Sequence, residues 1–268
     1  MLALAALIIA IARTQKSDSW SNQTTEGIDI VMSVDISSSM LAEDLKPNRL
    51  IAAKKVATEF ISSRHNDNIG LVVFAGESFT QCPLTINHAE LIKLFNGIES
   101  GMIEDGTAIG SGLATAVNRI KDSKAKSKVI ILLTDGSNNR GQISPATAGE
   151  IAKSFGIRVY TIGVGSRGTA PYPFQTPYGV QYGTMSSEFD ETTLRTIAQM
   201  TGGEYFRATD NNSLRAIYSQ IDQLEKTKIR VREYSKRTEH FAPFLMAALA
   251  CMLLELLIRY FVLRTVAE

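Results

Sequence analysis

The stretch Ile28-Asp29-Ile30-Val31-Met32-Ser33-Val34-Asp35-Ile36-Ser37-Ser38-Ser39 decides how the rest of the chain is read. Ile28 to Val34 is a short apolar run, which reads as a strand buried on both faces, as strands of parallel sheets are. It runs into a carboxylate, Asp35, followed by hydroxyls at alternate positions, Ser37 and Ser39. An apolar strand that delivers polar side chains at its carboxyl end marks the edge where open α/β sheets place their ligands.

Outward from this stretch, strand and helix alternate. Leu50, Ala53, Ala57, Phe60 and Ile61 recur at helical spacing. Ile69 to Phe74 and Ser78 to Gln81 read as two strands joined at Gly76-Glu77, and Asn87 opens a short helix that stops near Gly97. Ile109, Leu113, Ala116, Val117 and Ile120 form the stripe of a further helix, which ends in the lysine-rich loop Lys121 to Lys128. Val129 to Leu133 is a second buried strand, Pro145 to Phe155 a helix, and Arg158 to Val164 a third strand. Asp190 caps a helix that ends at Gly202-Gly203, and Glu204 to Arg207 reads as an edge strand. Leu214, Ile217, Tyr218, Ile221 and Leu224 line a last helix. The pattern predicts one α/β domain over residues 27–225, with a mainly parallel central sheet flanked by helices on both faces. One stretch breaks the rhythm: Gly168 to Ser187, with Pro171, Pro173, Pro177, Tyr172, Phe174 and Tyr182, reads as a protruding hairpin turned at Gly179-Val180 rather than a floppy insertion.

Three separated segments carry chemistry. Asp35, Ser37 and Ser39 follow the first strand; Thr107 lies in Asp105-Gly106-Thr107 just before a helix; Asp135 lies in Thr134-Asp135-Gly136 just after a buried strand. All sit at the ligand-bearing edge, so five oxygen-bearing side chains converge. That set suits a hard divalent cation, Mg2+ or else Mn2+ or Ca2+, since magnesium takes six oxygens at about 2.0–2.1 Å and keeps some water. With hydroxyls in the direct positions the ion stays electron-poor and favours an anionic further ligand, such as a carboxylate from a protein partner. Ser and Asp fill loops everywhere, so the motif carries weight only through its placement at strand ends; a degenerate site that folds without metal is the bland alternative.

Other signals are weaker. Gly163-Val164-Gly165-Ser166-Arg167-Gly168 matches the dinucleotide fingerprint, but the proline-rich stretch follows where a helix is required. His65, His88 and His240 lack ligand spacing. Ser111, in Gly110-Ser111-Gly112, has no preceding strand to make it a nucleophile elbow. Glu43 and Asp44 read as solvated loop charges, and Asn138 and Asn139 as residues that shape the loop after Asp135. No general base or nucleophile is placed, so the reading is non-enzymatic. The rival is a magnesium-dependent phosphohydrolase, for which Arg140 is the nearest basic candidate after Asp135.

Composition sets the bounds. Lys and Arg number 28 against 27 Asp and Glu, which leaves no overall field for nucleic acid. Phe241 to Leu263 is long and apolar enough to cross a bilayer core of about 30 Å, with Glu255 and Arg259 spaced to pair on one helix face. Residues 226–240 form a basic juxtamembrane segment. Met1 to Ala12 is apolar but covers only about 18 Å as a helix; it reads as the tail of a longer membrane helix, joined to the domain by a linker over 13–26. Arg13, Lys16 and the Lys226 to Arg237 cluster favour a cytoplasmic domain, and Arg259 and Arg264 weaken that bias. Cys82 and Cys251 supply no disulfide framework.

Asp-x-Ser-x-Ser at 35–39, the distant Thr107 and the distant Asp135-Gly136 resemble the metal-ion-dependent adhesion site of von Willebrand factor A (VWA) domains, in that family's order. The resemblance covers about three quarters of the chain; it implies a Rossmann-like fold and capture of partner proteins through the metal. The segments Asp105 to Leu113, Asp135 to Gly141 and Thr169 to Gly183 further resemble the aerotolerance-operon BatA family. That resemblance implies a protein of the bacterial inner membrane, working with a MoxR-type AAA+ ATPase and other VWA membrane proteins in complex assembly or stress tolerance.

Overall fold

In the computed structural model the described residues are 27–177, 179–186 and 190–233, with Met246, Leu249, Met252 and Leu253. The opening strand, β1 (Asp29–Asp35), is buried at all seven positions. It lies between two parallel neighbours, β2 (Asn68–Phe74) and β4 (Lys128–Thr134). β3 (Ser78–Thr85) pairs antiparallel on the outside of β2. β5 (Arg158–Val164) and β8 (Tyr205–Ala208) continue the parallel order beyond β4. The sheet therefore runs β3-β2-β1-β4-β5-β8, and a separate two-stranded ribbon joins β6 (Thr169–Thr176) to β7 (Gly179–Ser186). This is the α/β fold with a mainly parallel sheet that the sequence predicts.

Helices cover both faces. One apolar layer is built on α1 (Arg49–Ser62), α2 (His88–Asn96) and α6 (Asn211–Glu233), and holds Met32, Val34, Phe60, Phe95, Ile162 and Tyr218. The other is built on α3 (Ile109–Ile120), α4 (Pro145–Ser154) and α5 (Glu191–Thr201), and holds Val31, Phe74, Leu113, Ile130 and Ile197. Capping side chains start four of the helices: Asn48, Asn87, Ser144 and Asp190 accept from backbone amides of α1, α2, α4 and α5. Gly202, with φ +74°, ends α5 in the left-handed conformation that glycine adopts without penalty.

Gly110 and Gly112 have packing roles. A Cβ on Gly110 would lie 1.9 Å from the Ile143 carbonyl oxygen, and one on Gly112 would lie 2.5 Å from the Phe74 ring. These glycines let α3 approach β2 and the 141–144 segment, which aims the start of α3 at the carboxyl edge of the sheet.

Several boundaries differ from the sequence reading, and β3 runs on to Thr85 rather than ending at Gln81. The last strand is Tyr205–Ala208 rather than 204–207. β6 ends at Thr176, and Gly179, at φ +109°, begins β7 instead of forming the turn. Among the described residues β6 pairs with β7 alone, so the missing N–H groups of Pro171 and Pro173 are tolerated on its open side. The final helix continues beyond Leu224 to Glu233, into the basic segment.

Residues Thr25–Ile229 form one compact unit, and Met1–Thr24 with Arg230–Glu268 form another. The apolar segment 1–12, the linker 13–26 and the span expected over 241–263 lie outside the described residues, apart from Met246, Leu249, Met252 and Leu253. Those four are helical, with exposed side chains. Among the described residues, no helix is long and apolar enough to cross a membrane.

Candidate metal centre

β1 delivers Asp35 to the carboxyl edge of the sheet with its side chain out of contact with solvent. One carboxylate oxygen accepts from the Ser37 amide at 2.9 Å, and the other from the Thr134 hydroxyl, at the end of β4, at 2.6 Å. Asp35 thus shapes the loop that follows it and joins it to the neighbouring strand. That loop is a short 3-10 turn over Ser38–Leu41, and it lifts Ser37 and Ser39 onto the same side, their hydroxyl oxygens 2.9 Å apart. Ser39 donates to an Asp135 oxygen at 2.7 Å. Ser37, Ser39 and Asp135 therefore form one continuous polar run, with Asp35 beneath it.

Thr107 completes the set from a third segment. Its amide donates to the Asn139 side chain at 2.8 Å, and its carbonyl accepts from the Asn139 amide at 3.0 Å. The 105–107 loop is pinned to the first loop by Asp105, which accepts from the amide and the hydroxyl of Ser38 at 2.9 and 2.6 Å. Gly136 lets the two loops close: a Cβ there would stand 3.1 Å from the Thr107 hydroxyl oxygen. All five predicted residues are thus gathered at one edge. Asp35, Ser37, Thr107 and Asp135 are buried, and Ser39 is half-exposed at the mouth. Asn138 and Asn139 shape the surrounding loop, as expected.

The structure corrects the reading of the charges. Asp44 is not a solvated loop charge: its side chain is 6% exposed and takes both Nε and Nη2 of Arg49, at 2.7 and 2.6 Å. It also accepts from the amide and hydroxyl of Ser166, at the root of the β6–β7 ribbon. Nor is Arg140 the basic group of the site; it is half-exposed and faces Glu104. That place belongs to Arg49, fully buried, which gives Nη1 to the second oxygen of Asp135 at 2.7 Å. Nothing in the helix stripe pointed to it. One signal was available: Arg49 follows the cap residue Asn48 directly, and a cation in the first turn of a helix opposes the helix dipole.

The electrostatics fit a cation. Three acidic side chains, Asp35, Asp44 and Asp135, stand against one guanidinium, Arg49, in a nearly solvent-free cluster. Burial, then the charge of Asp135, pushes the Asp35 carboxyl up to about 7. Burial also raises Asp135, although Arg49 and Ser39 act to lower it. Asp44 goes the other way: Arg49 and the Ser166 amide overcome its burial and hold it down at about 2. A divalent ion beside Asp35 and Asp135 would supply the charge the cluster lacks, and the adjacent hydroxyls are neutral oxygen donors of the kind hard cations accept. Among the described residues no three His, Cys, Asp or Glu cluster as metal ligands; the side-chain oxygens gathered here are the carboxylates of Asp35 and Asp135 and the hydroxyls of Ser37, Ser39 and Thr107.

Comparison with known proteins places this geometry in a family. A protein of Borreliella burgdorferi with no described function is 30% identical over 255 residues, covering 94% of this chain and 74% of that one. UPF0353 proteins are longer relatives; the chain spans 62% of the one from Nocardia farcinica. Among solved structures, BatB from Bacteroides thetaiotaomicron superposes with a TM-score of 0.66 at 30% identity, covering 75% of this chain and all of that one. An aerotolerance-related membrane protein from Bacteroides fragilis gives 0.65 at 30% identity, covering 72% and 98%. The model of the von Willebrand factor type A domain matches residues 29–220, from the first strand into α6. The chain therefore belongs to the von Willebrand factor type A domain family.

Proposed function

We propose that this chain is a membrane-anchored protein-interaction module that captures its partner through a divalent cation, Mg2+ in the first place, held by Asp35, Ser37, Ser39, Thr107 and Asp135. One observation carries the reading: an acidic cluster short of positive charge lies directly beneath hydroxyls that open to solvent at Ser39. In this reading Ser37, Ser39 and Thr107 contribute neutral oxygens, and Asp35 and Asp135 contribute charge from below. The chemistry the ion supplies is attraction for an acidic side chain of the partner. Arg49 takes one oxygen of Asp135 and Ser39 the other, so Asp135 is held in one orientation. The ribbon would add contacts beside the ion, since Phe174, Val180 and Tyr182 are exposed and Pro171 accepts from the Glu43 amide of the metal loop.

The phosphohydrolase reading is less well supported. The only cation inside the cluster among the described residues, Arg49, is fully buried and engaged by the carboxylates of Asp44 and Asp135. Likeness to an aerotolerance-related membrane protein, together with the apolar segment 241–263, supports anchoring in a bacterial inner membrane. It also supports a BatA-like role beside a MoxR-type AAA+ ATPase and other VWA membrane proteins. The basic flanks favour a domain on the cytoplasmic side, a bias that Arg259 and Arg264 weaken.

The test is capture of partner proteins by the detergent-solubilised chain in magnesium and in EDTA. Capture in magnesium, lost in EDTA and lost in a folded Asp35→Ala variant, is the expected result. Capture that is indifferent to both would defeat the metal-dependent reading.

A further inference from the structure

The end of the sheet opposite the metal centre has a chemistry of its own. There β1, β2, β4 and β5 begin in register, with Asp29 beside Asn68 and Lys128, and Val129 beside Arg158. The loop between α3 and β4 exposes Lys124 and Lys126, and the last turn of α4 exposes Lys153. Two apolar side chains stand out among them: Ile86 is 71% exposed and Phe155 43%. The Ile86 loop is held at this end by His88, whose ring hydrogen-bonds the Asp67 carbonyl. Exposed acids here are Glu90, Asp122 and Glu204, and Lys121 and Lys128 add half-exposed cations; Asp67 and Glu225 are engaged by Arg64 and Arg158.

Both connections to the rest of the chain leave from this same end. Gly27 leads directly into β1, and Glu225, late in α6, accepts from Ser127 at the start of β4. Lysines on flexible stems around separate apolar tips are the pattern of a surface that rests on anionic lipid. The ammonium groups reach phosphates while isolated apolar side chains enter the interface. A protein partner would call for a contiguous apolar patch, whereas Ile86 lies on a different segment from Phe155, whose exposed apolar companion is Ile151, one turn back on α4 and 36% exposed.

We propose that the strand-start end of the domain docks on anionic phospholipid headgroups through Lys124, Lys126 and Lys153, with Ile86 and Phe155 entering the interface. This would direct the metal centre away from the bilayer. The proposal rests on the membrane attachment read above, and not on the metal.

The experiment uses the full chain with Cys82 and Cys251 replaced by serine and a single cysteine, Phe155→Cys, carrying an environment-sensitive fluorophore. The chain is placed in phosphatidylcholine vesicles with or without phosphatidylglycerol. The expected result is blue-shifted, brighter emission only with phosphatidylglycerol, reversed by high salt, and no such change for the same probe at Met102, on the segment leading to Thr107. Lys→Gln at 124, 126 and 153 should weaken the lipid dependence by roughly fivefold per lysine. Equal emission in both vesicle types, or a change that appears only when another protein is added, would overturn the proposal. Flotation separates the two readings. A chain that fails to float with neutral vesicles defeats the anchoring, and its flotation or not with phosphatidylglycerol vesicles then decides the docking alone.

Discussion

Arg49 and Asp135 face each other at 2.7 Å, both side chains sealed from solvent, across 86 residues of sequence. The pair ties the start of α1 to the end of β4, and through Asp44 it reaches the root of the ribbon. A buried charge pair contributes little net stability when intact, but removing one partner strands the other without solvent or counter-charge. Arg49→Ala should therefore cost about 3–5 kcal/mol, read from urea unfolding. Arg49→Ala with Asp135→Asn should cost less than Arg49→Ala alone, because fewer carboxylates are then stranded. A double variant that is merely additive would show that the two side chains do not depend on each other.

Asp44 sets an acid limb on stability. Its carboxyl is held at about 2 against an ordinary 3.8. A depressed carboxylate contributes stability that is present above the unfolded value and is lost as pH falls through the folded one. Melting temperature should thus fall between about pH 4 and pH 2 more steeply in the wild type than in Asp44→Asn. The variant should be less stable at neutral pH and should converge on the wild type at the acid end. Parallel profiles would rule out this role.

Gly110 tests the packing that aims α3. With the Ile143 carbonyl 1.9 Å from any added Cβ, Gly110→Ala must move backbone. The loss should be at least about 1–3 kcal/mol, and because α3 follows Thr107 directly, metal affinity should drop with it. Gly156→Ala is the contrast: nothing lies within 4 Å of its Cβ, and its cost comes from φ +65° alone. If Gly110→Ala is as stable as the wild type, the close approach is not needed.

What the sequence made legible follows physical range. β1 and β4 were readable because burial on both faces leaves an unbroken apolar run, and α3 because its stripe repeats at helical spacing. The five site residues were readable because each lies next to such an element. Arg49 and Asp44 were not, since their roles depend on a tertiary pairing that no local period encodes; only the misplaced cation at the start of α1 hinted at it. The turn of the ribbon was misplaced because Gly179, a good turn residue, instead pairs with Thr176 as the first residue of β7, a register that no local signal encodes.

The central claim is that the Asp35–Ser37–Ser39–Thr107–Asp135 cluster binds a divalent cation, and calorimetric titration of the full chain in detergent with magnesium, then manganese, tests it most directly. The predicted result is one site per chain, abolished in Thr107→Ala and Asp35→Ala, with saturation at about 100 times the dissociation constant adding ~2.7 kcal/mol to stability. No binding heat and no magnesium-dependent rise in melting temperature in the wild type would contradict the claim.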